Sequence, residues 1–460
     1  MSKLVNATRS YDSVTNNGAV THSTSLNNCV DLFFVAGASR NMVDSQITAM
    51  FERAYAQDKN IAAKILFWAR DARQGAGERR FFQVIMTHIL AHYPEVHERL
   101  LKFTPEFGYW KDVLATARPD HKTLEWMASE LSSGKISLLA KWFPRKGPWF
   151  VRMHNHLEIS PKELRQRLVA MTKVVETQMC NQKWGEIKYE HVPSIAMHKY
   201  RKAFFKHDLA RMTTFIEAVH KGEAKINAGV LFPHQLYDAV KRGENAKAVE
   251  AQWINLPDYM KDCTERILPI CDVSGSMQGL PMSVSVSLGI YISERNKGLF
   301  KDAFMTFSTT PEMLYLKGSL AQRMRQLETS HWSMSTNLQA TFELILNSAL
   351  RENLSEEEMP TKLLIISDME FNEADRGRTN LDSIRSKYQA SGYTMPEIVF
   401  WNVNGRMGNS PARVADKGVG LVSGFSPSIL KSILGGKIYG PEQLMLDTVI
   451  VDRYKDIQVD

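Results

Sequence analysis

The stretch ILPICDVSGSMQG, residues 267–279, decides how the C-terminal half of the chain is interpreted. The apolar residues 267–271 predict a buried strand, and Asp272, Ser274 and Ser276 follow at alternate positions just past its end. Polar groups bunched at the carboxyl end of a strand in an α/β sheet usually line a ligand crevice. The sequence therefore predicts a ligand site built around these three side chains.

The region from residue 264 onward alternates between strand-like and helix-like segments. Strands are predicted over 266–272, 301–308, 312–316, 362–367, 397–403 and 419–423. Helices are predicted over 281–296, 318–328, 338–350, 379–391 and 427–434, with a final helix and tail over 441–460. Such alternation is typical of an α/β fold with a mostly parallel sheet covered on both faces.

The first half of the chain has a different rhythm, with apolar residues at three- and four-residue spacings that predict one helix after another. These helices are expected over 43–56, 60–71, 79–92, 122–132, 161–183, 197–220 and 234–242. No alternating strand rich in Val and Ile occurs before about residue 264. We therefore expect a multidomain chain. It has a polar flexible N-terminus (1–26), an α-helical domain that is either repeat-like or irregular (27–262) and an α/β domain (263–460).

Charge is divided unevenly between these two halves. Residues 1–262 carry 37 Lys and Arg against 27 Asp and Glu, whereas residues 263–460 carry 20 against 23. Twelve of the 13 histidines also lie in the first half. The basic excess and the 267–279 stretch thus belong to different halves, which suggests two tasks in one chain.

Several features of the chain predict a cytoplasmic protein. No uncharged apolar run approaches the roughly 18 residues that indicate a transmembrane helix. The first residues have no apolar segment of the kind found in secretory signals. The cysteines at 29, 180, 263 and 271 are scattered without CxxC spacing, which is typical of reduced thiols and not of a disulfide framework or zinc site.

Two further loops are expected to meet the 267–279 stretch. If the strand over 362–367 lies beside that over 266–272, Asp368 emerges at the same edge, and the SMSTNL loop at 333–338 supplies Thr336. The resulting oxygen-only set consists of Asp272, Ser274, Ser276, Thr336 and Asp368. Mg²⁺ prefers oxygen ligands and takes one or two carboxylates while keeping several waters. Zinc is disfavoured because no His or Cys is near in sequence, so the predicted cofactor is Mg²⁺ or Mn²⁺.

These loops resemble the metal-ion-dependent adhesion site (MIDAS) of von Willebrand factor A domains, which has Asp-x-Ser-x-Ser in its first loop, Thr in its second and Asp in its third. Asp272-Val-Ser-Gly-Ser276, Thr336 and Asp368 match in that order. The resemblance implies that the two serines and Thr336 bind the ion directly and the aspartates directly or through water. It also implies that a partner's Asp or Glu completes the coordination. The sequence departs from the pattern at Met369-Glu370, where many such domains have Gly and where Glu370 adds negative charge.

Other interpretations of this stretch fit the sequence less well than a metal site. Asp and Ser after a strand can simply cap the next helix. A haloacid-dehalogenase phosphatase needs a second carboxylate at the position of Ser274, and residues 275–279 place serine one position too early for a nucleophile elbow. No Walker lysine loop is present, and His154-Asn155-His156 has no companions at metal-ligand spacing. We therefore expect a protein that is not an enzyme.

Basic residues of the helical half cluster beside aromatic residues, in segments 70–82, 108–112, 141–146 and 198–208. This combination suits single-stranded nucleic acid, although a solvated helix face over an aromatic core has the same composition. The candidate RNA-binding residues are Arg73, Arg79, Arg80, Lys111, Lys141, Arg145, Lys146, His198, Lys199, Arg201, Lys202, Lys206 and His207.

The same segments, together with Val192-Pro193-Ser194, resemble the TROVE module of Ro ribonucleoproteins and its bacterial and phage relatives of the DUF2828 type. That family joins an α-helical HEAT-like ring to a von Willebrand A domain, and the resemblance covers about residues 27–455. It implies a ribonucleoprotein-forming protein that binds single-stranded RNA ends in the ring and structured small RNA outside it, without a membrane role. Two other functions stay open: a protein-interaction scaffold without RNA and a Mg²⁺-dependent phosphoester hydrolase.

Overall fold

The computed structural model describes residues 11–133, 136–307, 311–328, 337–373 and 379–459. The chain divides into two compact units. The sheet unit comprises Met1–Phe81 and Gly229–Asp456, and the helical unit comprises Phe82–Ala228 and Ile457–Asp460. Thr336 of the predicted metal set lies outside the described residues, as do residues 1–10 of the predicted flexible N-terminus.

Residues 11–26 form an ordered start to the sheet unit. The short strands β1 (Ser13–Val14) and β2 (Val20–Thr21) pair in an antiparallel hairpin, here called the N-terminal hairpin. The Thr15 hydroxyl is buried and donates to the Phe371 carbonyl over 2.6 Å. For residues 11–26 the structure thus differs from the predicted flexible segment, because donors of the hairpin find acceptors in a loop more than 300 residues away.

Four helices follow the hairpin: α1 (Asn28–Ala36), α2 (Asp44–Gln57), α3 (Lys59–Arg70) and α4 (Arg79–His92). Asn27 and Asp58 begin α1 and α3 by accepting hydrogen bonds from backbone N–H groups of the first turn. The predicted helices 43–56, 60–71 and 79–92 agree with α2, α3 and α4 to within one residue.

The helical unit continues with α5 (Pro94–Leu101), α6 (Thr104–Phe107), α7 (Trp110–Thr116), α8 (His121–Ser132), α9 (Leu138–Trp142), α10 (Pro148–His156), α11 (Pro161–Ala170), α12 (Val175–Cys180), α13 (Ser194–His207) and α14 (Leu209–Lys221). Two predicted helices are interrupted: 161–183 is split between α11 and α12, and 197–220 between α13 and α14. The second break occurs at Asp208, whose backbone is non-helical. Its carboxylate accepts hydrogen bonds from the Tyr189 hydroxyl and Arg211, at 2.7 and 2.9 Å.

The sheet unit resumes after the helical unit. Its helices are α15 (Pro233–Lys241), α16 (Ala246–Ile254), α17 (Leu280–Arg295), α18 (Leu320–Glu328), α19 (Leu338–Glu352), α20 (Asn380–Ser391), α21 (Leu430–Ile433) and α22 (Pro441–Val449). Its strands are β3 (Ile267–Asp272), β4 (Ala303–Phe307), β5 (Glu312–Tyr315), β6 (Lys362–Ser367), β7 (Glu397–Asn402) and β8 (Val419–Ser423). No helix in the part of the chain that the structure describes is long and apolar enough to cross a membrane.

The strands form one six-stranded sheet with the order β5-β4-β3-β6-β7-β8. All neighbours are parallel except β5, which pairs with β4 in the antiparallel direction. Every residue of β3, β6 and β8 is buried, as expected for strands with both faces covered. The predicted mostly parallel sheet, combined with a helical first half, is therefore confirmed at this level.

Helix α1, the first helix among the described residues, covers the edge strand β8. The Ser423 hydroxyl donates to the Phe33 carbonyl over 2.7 Å and accepts from the Gly37 N–H over 2.9 Å. Asn402 at the end of β7 donates to the Phe34 carbonyl over 3.2 Å. The compact units therefore divide the chain differently from the predicted boundary between residues 262 and 263, because α1 packs on the last strand of the sheet.

Helix α17 lies unusually close to the sheet at Gly289. A methyl group added there would overlap the Cys271 sulfur and approach the Phe304 ring to 2.5 Å. We expect Gly289→Ala to lower the free energy of unfolding by about 1–3 kcal/mol, because overpacking forces the neighbours to move. Urea denaturation would measure this loss. Gly185→Ala is the control, since a methyl group there meets nothing within 4 Å; equal losses in the two variants would contradict the close approach.

Candidate functional site

The predicted adjacency of the two aspartate-bearing strands is confirmed. β3 and β6 are parallel neighbours, with Cys271 opposite Ile366. Asp272 ends β3 and Asp368 directly follows β6, so both carboxylates lie at the same edge of the sheet. Asp272 is 0% exposed and Asp368 is 1% exposed. The carboxylates therefore meet in a buried setting, where an ionised group needs a compensating charge or hydrogen bonds.

The first loop arranges its oxygen atoms around Asp272. One carboxylate oxygen of Asp272 accepts the Ser274 N–H at 2.9 Å, and the other accepts the Ser367 hydroxyl at 2.5 Å. The Ser274 and Ser276 hydroxyl oxygens are 3.1 Å apart, and the Ser276 side chain lies close enough to Asp368 to act toward lowering the pKa of that carboxyl. Four of the five predicted metal ligands are thus together at this edge, and Thr336 lies outside the described residues.

The electrostatics of the two aspartates favour a cation. Burial, followed by the negative charge of Asp368, raises the pKa of Asp272 to about 7. Burial also raises the pKa of Asp368, although Arg406 acts in the opposite direction. Both ionised forms are therefore disfavoured in the protein alone, and a divalent cation placed between them would stabilise both.

The donor chemistry of the site fits Mg²⁺ or Mn²⁺, because every predicted ligand offers oxygen. In the described ranges, no group of three or more His, Cys, Asp or Glu side chains could hold a metal ion. A site at this edge would therefore depend on hydroxyl and water ligands as much as on carboxylates. That is the composition expected of an ion that keeps part of its hydration shell.

Arg406 is a functional candidate that sequence reasoning missed. Its guanidinium contacts an oxygen of Asp368 at 3.4 Å and an oxygen of Glu370 at 3.2 Å. It lies in the loop after β7, in no recognisable motif. The strand order offered a signal, because a loop that follows a strand beside β6 emerges at the same edge of the sheet.

Glu370 departs from the adhesion-site pattern, and the structure shows how it is accommodated. Its side chain is buried and accepts the Asn16 N–H at 2.6 Å, while its carbonyl accepts the Asn17 amide at 2.6 Å. Met369 before it has a left-handed backbone with φ of 65°, a conformation that glycine adopts without strain. The loop therefore keeps a glycine-like turn despite its Met-Glu sequence, and the N-terminal hairpin holds it.

The predicted RNA-binding residues are divided between the two units. Arg73, Arg79 and Arg80 belong to the sheet unit, and the other ten belong to the helical unit. The exposed candidates are Arg73, Arg79, Lys111, Lys146, Lys199, Lys202, Lys206 and His207. Those of intermediate exposure are Arg80, Lys141, Arg145 and His198.

The prediction that Arg201 contacts RNA needs a correction. Its side chain is only 1% exposed, so it does not offer its guanidinium to a phosphate on the surface. The physical reason is the period of α13, which places Arg201 on the same buried face as Met197 and Phe204. The 3.6-residue spacing could have revealed this from the sequence.

Three of the half-buried candidates are tied to groups of the protein. Arg80 forms an ion pair with Asp44. Lys141 pairs with Glu176 at 3.2 Å. Arg145 donates to the carbonyls of Phe143 and Ala140 at 2.5 and 3.0 Å, and burial lowers its pKa. These side chains hold local structure and are weaker candidates for phosphate contacts.

The exposed face of α13 is the most regular basic surface among the candidates. Lys199, Lys202 and Lys206 are exposed and follow one another at three- and four-residue spacings; we call them the α13 lysine strip. His207, at the end of the same helix, stacks on Trp184 with ring centroids 4.4 Å apart and planes 6° from parallel. The strip and the stacked rings place positive charge next to an aromatic surface within one unit.

Two families of unknown function match this chain. The domain of unknown function DUF2828 matches residues 15–118 and 151–265, and DUF7788 matches residues 266–456. The chain is also similar to the uncharacterized protein L728 of Acanthamoeba polyphaga mimivirus. The two are 28% identical over 498 residues, which cover 94% of this chain and 86% of the viral protein. The DUF2828 part of the predicted resemblance is therefore supported, and the two family matches meet between residues 265 and 266.

Proposed function

We propose that this protein binds RNA in the manner of Ro ribonucleoproteins and carries a separate divalent-cation site for an acidic partner. In this proposal the region matched by DUF2828 is a TROVE-like helical ring, and the C-terminal region is a von Willebrand A domain. The observation that carries it is the meeting of Asp272, Ser274, Ser276 and Asp368 at the carboxyl ends of the adjacent parallel strands β3 and β6. They match, in order, the first and third loops of the adhesion-site motif, and Thr336 is the residue of the sequence that matches the second loop.

The chain's own residues have distinct tasks at the cation site. Ser274, Ser276 and Thr336 would hold Mg²⁺ or Mn²⁺ directly, with Asp272 and Asp368 as direct or water-mediated ligands. The bound ion would supply a positive position for a partner's Asp or Glu. The Ser367 hydroxyl, 2.5 Å from Asp272, orients that carboxylate and satisfies one of its oxygens. The site thus has its supporting hydrogen bonds in place.

RNA binding is assigned to the helical unit because its exposed lysines lie beside aromatic rings. Lysines of the α13 strip would neutralise phosphates, and a ring pair such as Trp184 and His207 offers a face on which an unpaired base can stack. Lys111 lies over the Trp142 ring at 4.0 Å, a second place where charge and an aromatic face coincide. Both features favour unpaired RNA over a regular duplex.

Electrophoretic mobility shifts with single-stranded and structured RNA, at two salt concentrations, test the proposal. We expect binding that weakens steeply as salt rises, because phosphate contacts release counterions. Incubation of the same RNAs with Mg²⁺ or Mn²⁺ should leave them intact. Cleavage would favour the phosphoester hydrolase, and absence of binding at low salt would favour the protein scaffold.

The chelated protein should become less stable as pH rises from about 4 to about 7. The folded-state pKa of Asp272, about 7, lies above its ordinary value of 3.8. The folded protein therefore holds this proton more tightly, and that stability is lost as pH rises through 7. The contribution is at most about 4 kcal/mol at roughly 1.4 kcal/mol per pKa unit. Thermal unfolding in EDTA measures it.

The control for this pH effect is Asp272→Asn, which keeps an acceptor oxygen but does not ionise. Its melting temperature should fall less over the same pH range. Added Mn²⁺ should reverse the trend in the wild type, because the ion binds the ionised carboxylates. Parallel pH profiles of wild type and variant in EDTA would contradict the prediction.

A further inference from the structure

The candidate cation site contains more negative charge than the five predicted ligands account for. Asp272, Asp368 and Glu370 are 0%, 1% and 3% exposed. Arg406 contacts two of them, Asp368 at 3.4 Å and Glu370 at 3.2 Å. Within the described residues no basic side chain forms an ion pair with Asp272, whose oxygens accept from Ser274 and Ser367. Among the described residues, the Arg406 guanidinium is therefore the positive charge that forms ion pairs at a site with three buried carboxylates.

Both carboxylate oxygens and the backbone carbonyl of Glu370 accept hydrogen bonds from the protein. One carboxylate oxygen accepts the Asn16 N–H at 2.6 Å; the other accepts Arg406 at 3.2 Å and the Asn409 amide at 3.4 Å. Asn17 holds the Glu370 carbonyl. A carboxylate with these donors is poorly available to a metal ion. Its arrangement is suited to keeping the Arg406 guanidinium in place.

Arg406 has more room to move than either of its two carboxylate partners. Its side chain is 36% exposed, whereas that of Asp368 is 0% exposed, so the arginine has room to move and the aspartate does not. The contact to Asp368 is also the longer of its two ion pairs. A divalent ion on Asp368 and a guanidinium on the same carboxylate repel each other.

We propose that Arg406 is an internal counter-cation that competes with the divalent ion for Asp368. Glu370, fixed by the N-terminal hairpin and Asn409, is the positioning residue that keeps Arg406 beside the site. The inference rests on the cation site of the proposed function. In this proposal, Met369-Glu370, where the sequence departs from the adhesion-site motif, helps to set the affinity for the ion.

The experiment measures Mn²⁺ affinity by calorimetry on the full-length chain. Arg406→Gln should bind Mn²⁺ about tenfold more tightly than the wild type, because the competing charge is gone. Arg406→Lys keeps the positive charge beside Asp368 and should stay within about threefold of the wild type. Glu370→Gln should bind about tenfold more weakly, because Arg406 then pairs with Asp368 alone.

A double-mutant comparison shows whether Glu370 acts through Arg406. If it does, Glu370→Gln should weaken Mn²⁺ binding much less in the Arg406→Gln background than in the wild type. A purely structural or through-space effect of Glu370 would be equal in both backgrounds and would overturn its positioning role. Thermal unfolding in EDTA identifies any variant that does not fold. If Arg406→Gln fails to fold, unchanged Mn²⁺ affinity in Glu370→Gln overturns the proposal.

The outcomes separate this inference from the proposed function. If the wild type and Asp272→Asn both bind no Mn²⁺, the cation site of the proposed function fails in the native chain. Arg406→Gln should then still gain measurable binding, and a gain would support the competition. If folded Arg406→Gln binds Mn²⁺ no more tightly than the wild type, the proposed competition between Arg406 and the ion is overturned.

Discussion

Asp272→Asn should bind Mn²⁺ at least about a hundredfold more weakly than the wild type, a loss of roughly 2.7 kcal/mol. Asp272 lies between the two loops of the site and receives hydrogen bonds from both Ser274 and Ser367. Asparagine keeps one acceptor oxygen for these donors but removes the negative charge that attracts the ion. Calorimetric titration with Mn²⁺ and with Mg²⁺ would measure the loss.

The matched control for this variant is Asp112→Asn. Asp112 is also 0% exposed, but it belongs to the helical unit, where it accepts from Gln83 at 3.0 Å. Its replacement should leave Mn²⁺ affinity unchanged. Equal Mn²⁺ affinity in the wild type and Asp272→Asn would show that the ion does not bind at the edge formed by β3 and β6.

Changing Lys199, Lys202 and Lys206 together to Ala should weaken the binding of all RNAs. A single-stranded site with four to six phosphate contacts should show a log–log salt slope of roughly −3 to −4, at about −0.7 per contact. Loss of three contacts should reduce the slope by about 2 and the affinity by on the order of a hundredfold at about 0.1 M salt. Fluorescence anisotropy over a salt series measures both.

The control replaces three exposed lysines of the sheet unit, Lys59, Lys417 and Lys437, and changes the net charge equally. It should retain most of the affinity, since these positions lie outside the α13 lysine strip. An equal loss would show that net charge and not the strip governs binding. Asp272→Asn should also bind RNA normally. Its failure to bind, with normal binding by the strip variant, would contradict the division of labour between the units.

The parts of the fold that could be predicted from sequence are those with a local pattern. Strands β3 and β6 are buried at every position and read as continuous apolar runs, which mark the interior of a parallel sheet. Their order along the sheet then brought Asp272 and Asp368 together as expected. The sequence predicts the helix bounds accurately where one apolar face repeats without interruption. It predicts them less accurately around Asp208, which interrupts a longer apolar pattern.

The parts that could not be predicted depend on contacts between distant residues. Asn16 meets Glu370, and Arg406 meets Asp368, but no local spacing links these positions. Arg201 shows a different kind of error. The composition of its segment, with exposed lysines nearby, predicts a surface position, whereas its place on the helix predicts burial. Its position on the same face as Met197 and Phe204 outweighs its charge.

The covering of β8 by α1 has a consequence for the time course of protein synthesis. The backbone carbonyls of Phe33 and Phe34 accept hydrogen bonds from the side chains of Ser423 and Asn402. Those two residues are synthesised more than 360 residues later. The helical unit is continuous apart from its last four residues, so it can fold on the ribosome while α1 still awaits its partner. We expect nascent chains stopped near residue 400 to be protease-resistant over 82–228 and cleaved within 28–36. Protection of both regions at that length would show that the first helices fold without the strand they finally cover.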